Sequence, residues 1–136
     1  MAVNTQFSIA VHIMASLAHL PGHEATSSGL ASSVNTGASF VRRVLAKLSK
    51  AGLVVTATGQ NGSTALARDP RSITLLDIYK AVDAPSVFSI HKYPENVTCQ
   101  ISCTIKSKLS DVLDRTQASA EATLGQMTLA DVAVEE

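Results

Sequence analysis

The chain has 136 residues, room for one domain or for one small domain with an appendage. Hydrophobic residues make up 46%, enough for a core and too many for a disordered tail; aromatics are only 4% and Trp is absent, so core volume must come from Leu, Ile, Val and Ala. The formal net charge of zero hides an asymmetry. Met1 to Arg68 holds five bases against the single acid Glu24, a net +4, whereas Asp69 to Glu136 holds six bases against ten acids, a net −4. A basic half beside an acidic half is the footprint expected when one part meets phosphate and the other has a different task. The apolar run Phe7 to Leu20 has no positive leader and falls short of the roughly 20 residues a membrane span needs, so a cytoplasmic chain with no membrane partner is expected.

The first helix is expected over Asn4 to Leu20, with Asn4 or Thr5 accepting from its free first-turn N–H groups. Phe7, Ala10, Val11, Met14, Leu17 and Ala18 recur at helical spacing, and Pro21-Gly22 stops the pattern. His12 and His19 share a face but lack the further ligands a metal needs. Thr26-Ser27-Ser28 starts a short helix with Leu30, Ala31 and Val34 inward, and Gly37 is expected to allow the sharp turn after it.

The third helix carries the chemistry. Val41, Val44, Leu45 and Leu48 repeat at i, i+3, i+4, i+7 and face inward. The other side carries Ser39, Arg42, Arg43, Ala46, Lys47 and Lys50, with no acid among them. Solvated helix faces usually mix signs; this one suits a recognition helix in the major groove, entered by its N-terminal end, where Arg can make bidentate contact to guanine or phosphate. Leu53 to Thr58 and Ser63 to Ala67 read as two strands joined at Asn61-Gly62, a strong hairpin signal. Beside the helix-turn-helix this hairpin is a wing, with Gln60 and Asn61 as donors at a tip that lacks Arg.

Thr74 with Asp77 makes a capping box for a fourth helix, which ends at Ala84-Pro85. Val87 to His91 reads as extended. A long helix is expected from Thr104 to Leu124, with Ile105, Leu109, Val112, Leu113, Thr116, Ala120 and Leu124 in one stripe. Its simplest cover is its own copy in a second chain, antiparallel or crossed. Thr128 and Asp131 cap a final short turn. The fold class is therefore mainly α with a small β-hairpin wing: a winged helix-turn-helix domain at 1–84, a linker or sensor loop at 85–103, and a dimerisation helix with a C-terminal segment at 104–136.

The order and spacing of SFVRRVLAKLSKAGLV, then LARDPRSITLLDIYKAVDAP, then TLADV resembles the Rrf-two family of bacterial regulators. The stretches TSSGLASSVNTGASFVRR and VFSIHKYPENVTC look nearest its YwnA-like subgroup. The resemblance implies a homodimeric winged-helix repressor of double-stranded DNA with a palindromic operator, paired through 104–124, with base-contacting positions at Ser39, Phe40, Arg42 and Arg43. Cluster-binding members hold iron–sulfur on three close cysteines plus one more ligand. Here there are only Cys99 and Cys103, so no cofactor and no metal are expected. These two thiols are instead redox-sensor candidates, Cys99 pairing with Cys103 or with a thiol across the dimer. No nucleophile-and-base constellation is evident, so an enzyme is not expected. The competing expectation is a winged-helix protein-interaction module without DNA binding.

Overall fold

The computed structural model describes residues 5–20, 24–56, 63–92 and 100–133. Through them run α1 (Gln6–His19), β1 (Glu24–Thr26), α2 (Ser27–Val34), α3 (Ala38–Lys50), β2 (Val54–Thr56), β3 (Ser63–Leu66), α4 (Leu75–Ala81), α5 (Gln100–Gly125) and α6 (Leu129–Val132), with a 3-10 turn at Pro70–Ser72. The protein is mainly helical with one small antiparallel sheet, as its periodicity predicts.

Two compact units divide the chain: Met1–Ala84 with Leu124–Glu136, and Pro85–Thr123. The first is built on one apolar cluster. Ala10, Ile13, Met14 and Leu17 of α1 meet Leu30 and Ala31 of α2, then Val41, Val44, Leu45 and Leu48 of α3. Leu53, Val54, Ile73, Leu75, Ile78, Val82 and Leu129 complete it. Phe7 meets Tyr79 edge-on, centroids 5.5 Å apart at 77°, and so ties α1 to α4. The return of Leu124–Glu136 to this unit is held by backbone: Leu75 N–H donates to the Met127 carbonyl at 2.9 Å and Leu129 N–H to the Ile73 carbonyl at 2.8 Å. The two caps thus lie side by side as an antiparallel bridge, Thr74 against Thr128. Each heads a complete capping box, Thr74 with Asp77 and Thr128 with Asp131.

The hairpin is present but is not alone. β1 pairs with β3, giving the order β1-β3-β2, so the returning strand of the wing is the central one. Three residues, Glu24-Ala25-Thr26, are too few to show a strand period, and their pairing with Ser63–Ala65 is non-local. Thr5 stands at the α1 N-cap without a side-chain cap bond, and Asn4 lies outside the described residues. Val87 and Phe88 form a bend rather than an extended strand.

Three helices end in the same turn. After α2, Asn35 N–H reaches the Ser32 carbonyl and Thr36 N–H the Ala31 carbonyl. After α3, Gly52 and Leu53 reach Ser49 and Leu48; after α4, Asp83 and Ala84 reach Lys80 and Tyr79. Each is a Schellman pair, and each needs one left-handed residue: Asn35 at φ 56, Gly52 at φ 78, Asp83 at φ 51. This corrects the expectation for Gly37. It sits at φ −76, ψ 145 as the α3 N-cap, a conformation any residue adopts, and the tight turn is made at Asn35 instead. Asn tolerates the left-handed region because its short side chain can bond locally.

The same substitution at two glycines should therefore differ. Gly52→Ala forces a Cβ into the left-handed region and should cost about 1–2 kcal/mol. Gly37→Ala, whose added Cβ meets nothing within 4 Å, should change stability by less than about 0.5 kcal/mol. Gly37→Ser supplies the missing side-chain cap and should add a few tenths of a kcal/mol. Urea midpoints at constant m measure all three; equal losses at Gly37 and Gly52 would refute this assignment of the turns.

Candidate nucleic-acid interface

The interface is set by which face of α3 the core takes. Val41, Val44 and Leu48 are fully buried and Leu45 nearly so, and this leaves Ser39, Arg42, Arg43, Ala46 and Lys50 exposed, with Lys47 half-buried. Phe40 is half-buried and packs against the core cluster. The structure thus brings the six helix positions expected to meet DNA onto one element. Ser39 and Lys50 stand about 16 Å apart along the axis at 1.5 Å per residue. That exceeds the roughly 12 Å width of the major groove. Lys47 and Lys50 also lie in the last turn, where a cation favours the helix dipole, so part of this charge has a structural use.

The first turns of α3 carry two ordered pairs at i, i+3 spacing. Arg42 Nη2 donates to Ser39 Oγ at 3.3 Å. The Arg43 guanidinium carbon lies 5.3 Å from the centroid of the Phe40 ring. Arg42, Ser49 and Lys50 also line a concavity of about 530 Å³ with Ser27 of α2, Thr56 of β2 and Thr64 of β3. Sequence reasoning missed Ser27, Ser49, Thr56 and Thr64. Ser27 was legible only as part of a helix start, and the threonines only as strand residues; what joins them is the packing of α3 across the sheet.

The arginines beyond the wing are engaged locally. Arg68 Nη2 donates to the Ser72 carbonyl. Asp69 accepts from the Arg71 backbone N–H at 2.8 Å and pairs with its guanidinium at 3.1 Å. The hydrogen bond to Asp69, then its charge, raises the Arg71 pKa further above its ordinary value. Gln60 and Asn61 lie outside the described residues, as does Cys99. Cys103 falls in the first turn of α5, which begins at Gln100 rather than Thr104; its side chain lies outside the description.

Among the described residues no three His, Cys, Asp or Glu side chains gather as a metal site, and no helix is long and apolar enough to cross a membrane. Within one subunit the donor set does not fit an iron–sulfur cluster, which takes four ligands, usually thiolates, where this chain has two cysteines in all.

Comparison with known proteins agrees with this geometry. The chain is 33% identical over 132 residues to YwnA of Bacillus subtilis, assigned as a helix-turn-helix transcriptional regulator, with 96% of each chain covered. A solved protein of Lactobacillus plantarum, assigned as a transcriptional regulator, superposes with a TM-score of 0.78 at 26% identity, covering 94% of this chain and 87% of that one. IscR of T. potens superposes with a TM-score of 0.67 at 27% identity, covering 96% and 85%. The family and the YwnA relative are described as transcriptional regulators, not as enzymes. The Rrf2 family profile, described as an iron-dependent transcriptional regulator, matches residues 3–135, and the chain belongs to that family.

Proposed function

We propose that two copies of this chain pair through α5 and repress transcription from a palindromic operator, under the control of the thiols at Cys99 and Cys103. DNA reading falls to residues 1–84, signal reception to 85–103 and pairing to 104–124, in a cytoplasmic protein. Ser39, Phe40, Arg42, Arg43, Lys47 and Lys50 serve the major groove and its flanking phosphates; Gln60 and Asn61 serve the wing tip.

The observation that carries the pairing is a bare apolar seam. On the 26-residue α5, Ile101 is 74% exposed, Ile105 51% and Val112 54%, at spacings of four and seven residues. A second seam, Leu113, Gln117, Ala120 and Leu124, is half-buried, and the Val87 N–H donates to Gln117 Oε1 at 2.9 Å. The chain covers one side of its long helix and leaves the other in water. Fully burying an Ile or Val side chain yields about 1.5–3 kcal/mol, so a partner with the same seam gains several such contributions at once. Charge favours the antiparallel arrangement. Residues 100–110 carry Lys106 and Lys108, while 111–125 carry Asp111, Asp114 and Glu121 against Arg115, so opposed ends attract. A two-fold pair of reading heads would suit a palindromic operator.

The thiols support a switch by their position. They bracket the start of the helix proposed to pair the chains, so a bond between them, or across the dimer, would bear on the spacing of the heads. Forming it requires a two-electron oxidant such as a peroxide or a disulfide, which leaves with both thiol protons.

Two measurements test these assignments. Ile105→Glu with Val112→Glu should convert the dimer to a monomer in sedimentation equilibrium and weaken operator binding at least about ten-fold, with helix content kept; a variant that stays dimeric removes the pairing proposal. Operator affinity of the wild type should change on oxidation, and Cys99→Ser or Cys103→Ser should abolish the change. Identical affinity of reduced and oxidised wild type would leave the thiols without a sensing role.

A further inference from the structure

Arg42 and Arg43 are neighbours in sequence, carry the same charge and are both exposed, yet their surroundings differ. Arg43 lies against the ring of Phe40, and that ring is itself held because Phe40 packs into the core cluster. A ring packed against the core offers the guanidinium a seat, and Arg is the residue best suited to stack on one. Among the described residues Arg42 donates to the Ser39 hydroxyl, at 3.3 Å, on an exposed and rotatable side chain. It also lines the concavity shared by α3, α2 and the sheet, together with Lys50, Ser27, Ser49 and Thr56. Two cations and four hydroxyls, Thr64 being the fourth, line this open groove beside Leu45 and Ala46, and the cations with the hydroxyls suit an anionic oxygen rather than a flat base edge.

We infer that the two arginines divide the work: Arg43, seated on Phe40, reads one base pair, and Arg42, with Lys50, holds a backbone phosphate in the groove between α3 and the sheet. Phe40 is then a positioning residue that acts through Arg43 and not by touching a base. This rests on the DNA reading proposed above and goes beyond it by separating base readout from backbone contact. The chemistry follows from pre-organisation. A bidentate contact to guanine O6 and N7 requires the planar fork at one orientation, and a side chain already held there loses less freedom on binding. A phosphate accepts from many directions, so the looser Arg42 suffices.

The experiment uses the full-length protein and duplex DNA selected by the wild type from a random pool. Affinities are measured for the selected duplex and every single-base-pair variant of its half-site, over a range of salt, for wild type, Phe40→Leu, Phe40→Tyr, Arg43→Ala, Arg42→Ala and the double variant Phe40→Leu/Arg43→Ala. Arg43→Ala should flatten the preference at one base pair by roughly ten-fold or more. Phe40→Leu, which changes no charge, should weaken the preference at that same pair by about two- to five-fold, with the salt slope unchanged. Phe40→Tyr should restore it, and in the double variant Phe40→Leu should add nothing to Arg43→Ala. Arg42→Ala should weaken all duplexes equally and reduce the salt slope by about one per reading head.

The inference is overturned if Phe40→Leu weakens every duplex uniformly alongside a lowered thermal midpoint, which marks a purely structural role. It is equally overturned if the effects of Phe40→Leu and Arg43→Ala add, or if Arg42→Ala alters preference at a single pair. Should the wild type select no sequence while still binding in a salt-dependent way, sequence-specific reading fails as a whole, an outcome distinct from these.

Discussion

Val41, Val44, Leu45 and Leu48 leave water together, and that burial sets what α3 can show to DNA. At about 1.5–3 kcal/mol for each buried side chain, the four contribute about 6–12 kcal/mol, comparable with the whole net stability of a domain this size. Rolling α3 far enough to hide its arginines would expose this stripe, so the outward face is fixed by the inward one. No direct interaction of the arginines with the rest of the protein approaches that magnitude: an exposed cation–π contact contributes about 0.5–1 kcal/mol. The core orients the helix, and local pairs such as Phe40 with Arg43 only refine the aim of what it presents.

Direction along the chain is governed by helix ends. α2, α3 and α4 all close with paired backbone bonds around a left-handed residue, and only one of the three, Gly52, is a glycine. At the end of α3 this turn also buries Leu53 against the core, so the chain enters β2 at a defined angle and the sheet stands beside α3. β1 then pins the returning wing strand from its other side. The wing is therefore the edge of a three-stranded sheet anchored at the start of α2. That pairing joins the first helix of the motif to the hairpin.

The long helix obeys a different economy. α5 has two apolar seams, one half-buried through Leu113, Ala120 and Leu124 and one exposed through Ile101, Ile105 and Val112. A solvated helix of 26 residues gains nothing from the second seam alone. Such a seam has a use only where something apolar covers it, and self-complementary charge along the helix makes a second copy the natural cover. The stripe drawn from periodicity, from Ile105 to Leu124, mixes residues of both seams: Ile105 and Val112 belong to the bare one, Leu113, Ala120 and Leu124 to the covered one.

Much of the fold was legible from sequence because it depends on short-range chemistry. The i, i+3, i+4, i+7 pattern of α3, the capping boxes at Thr74/Asp77 and Thr128/Asp131, and the two strand patterns that became β2 and β3 are all carried by neighbours within a few residues. The candidate site was legible to the same extent, since a helix period alone puts Ser39, Arg42, Arg43 and Lys50 on one side. What tertiary structure alone decided is whatever depends on contacts distant in sequence. β1 exists only because Ser63–Ala65 lies beside it, Leu124–Glu136 returns to the first unit through Ile73 and Leu75, and the left-handed turn falls on Asn35 while Gly37 stays extended. Arg42 and Arg43 look equivalent in the sequence. Their difference arises because Phe40 packs against the core beside Arg43 while the sheet folds against α3 beneath Arg42, and no local pattern encodes either event.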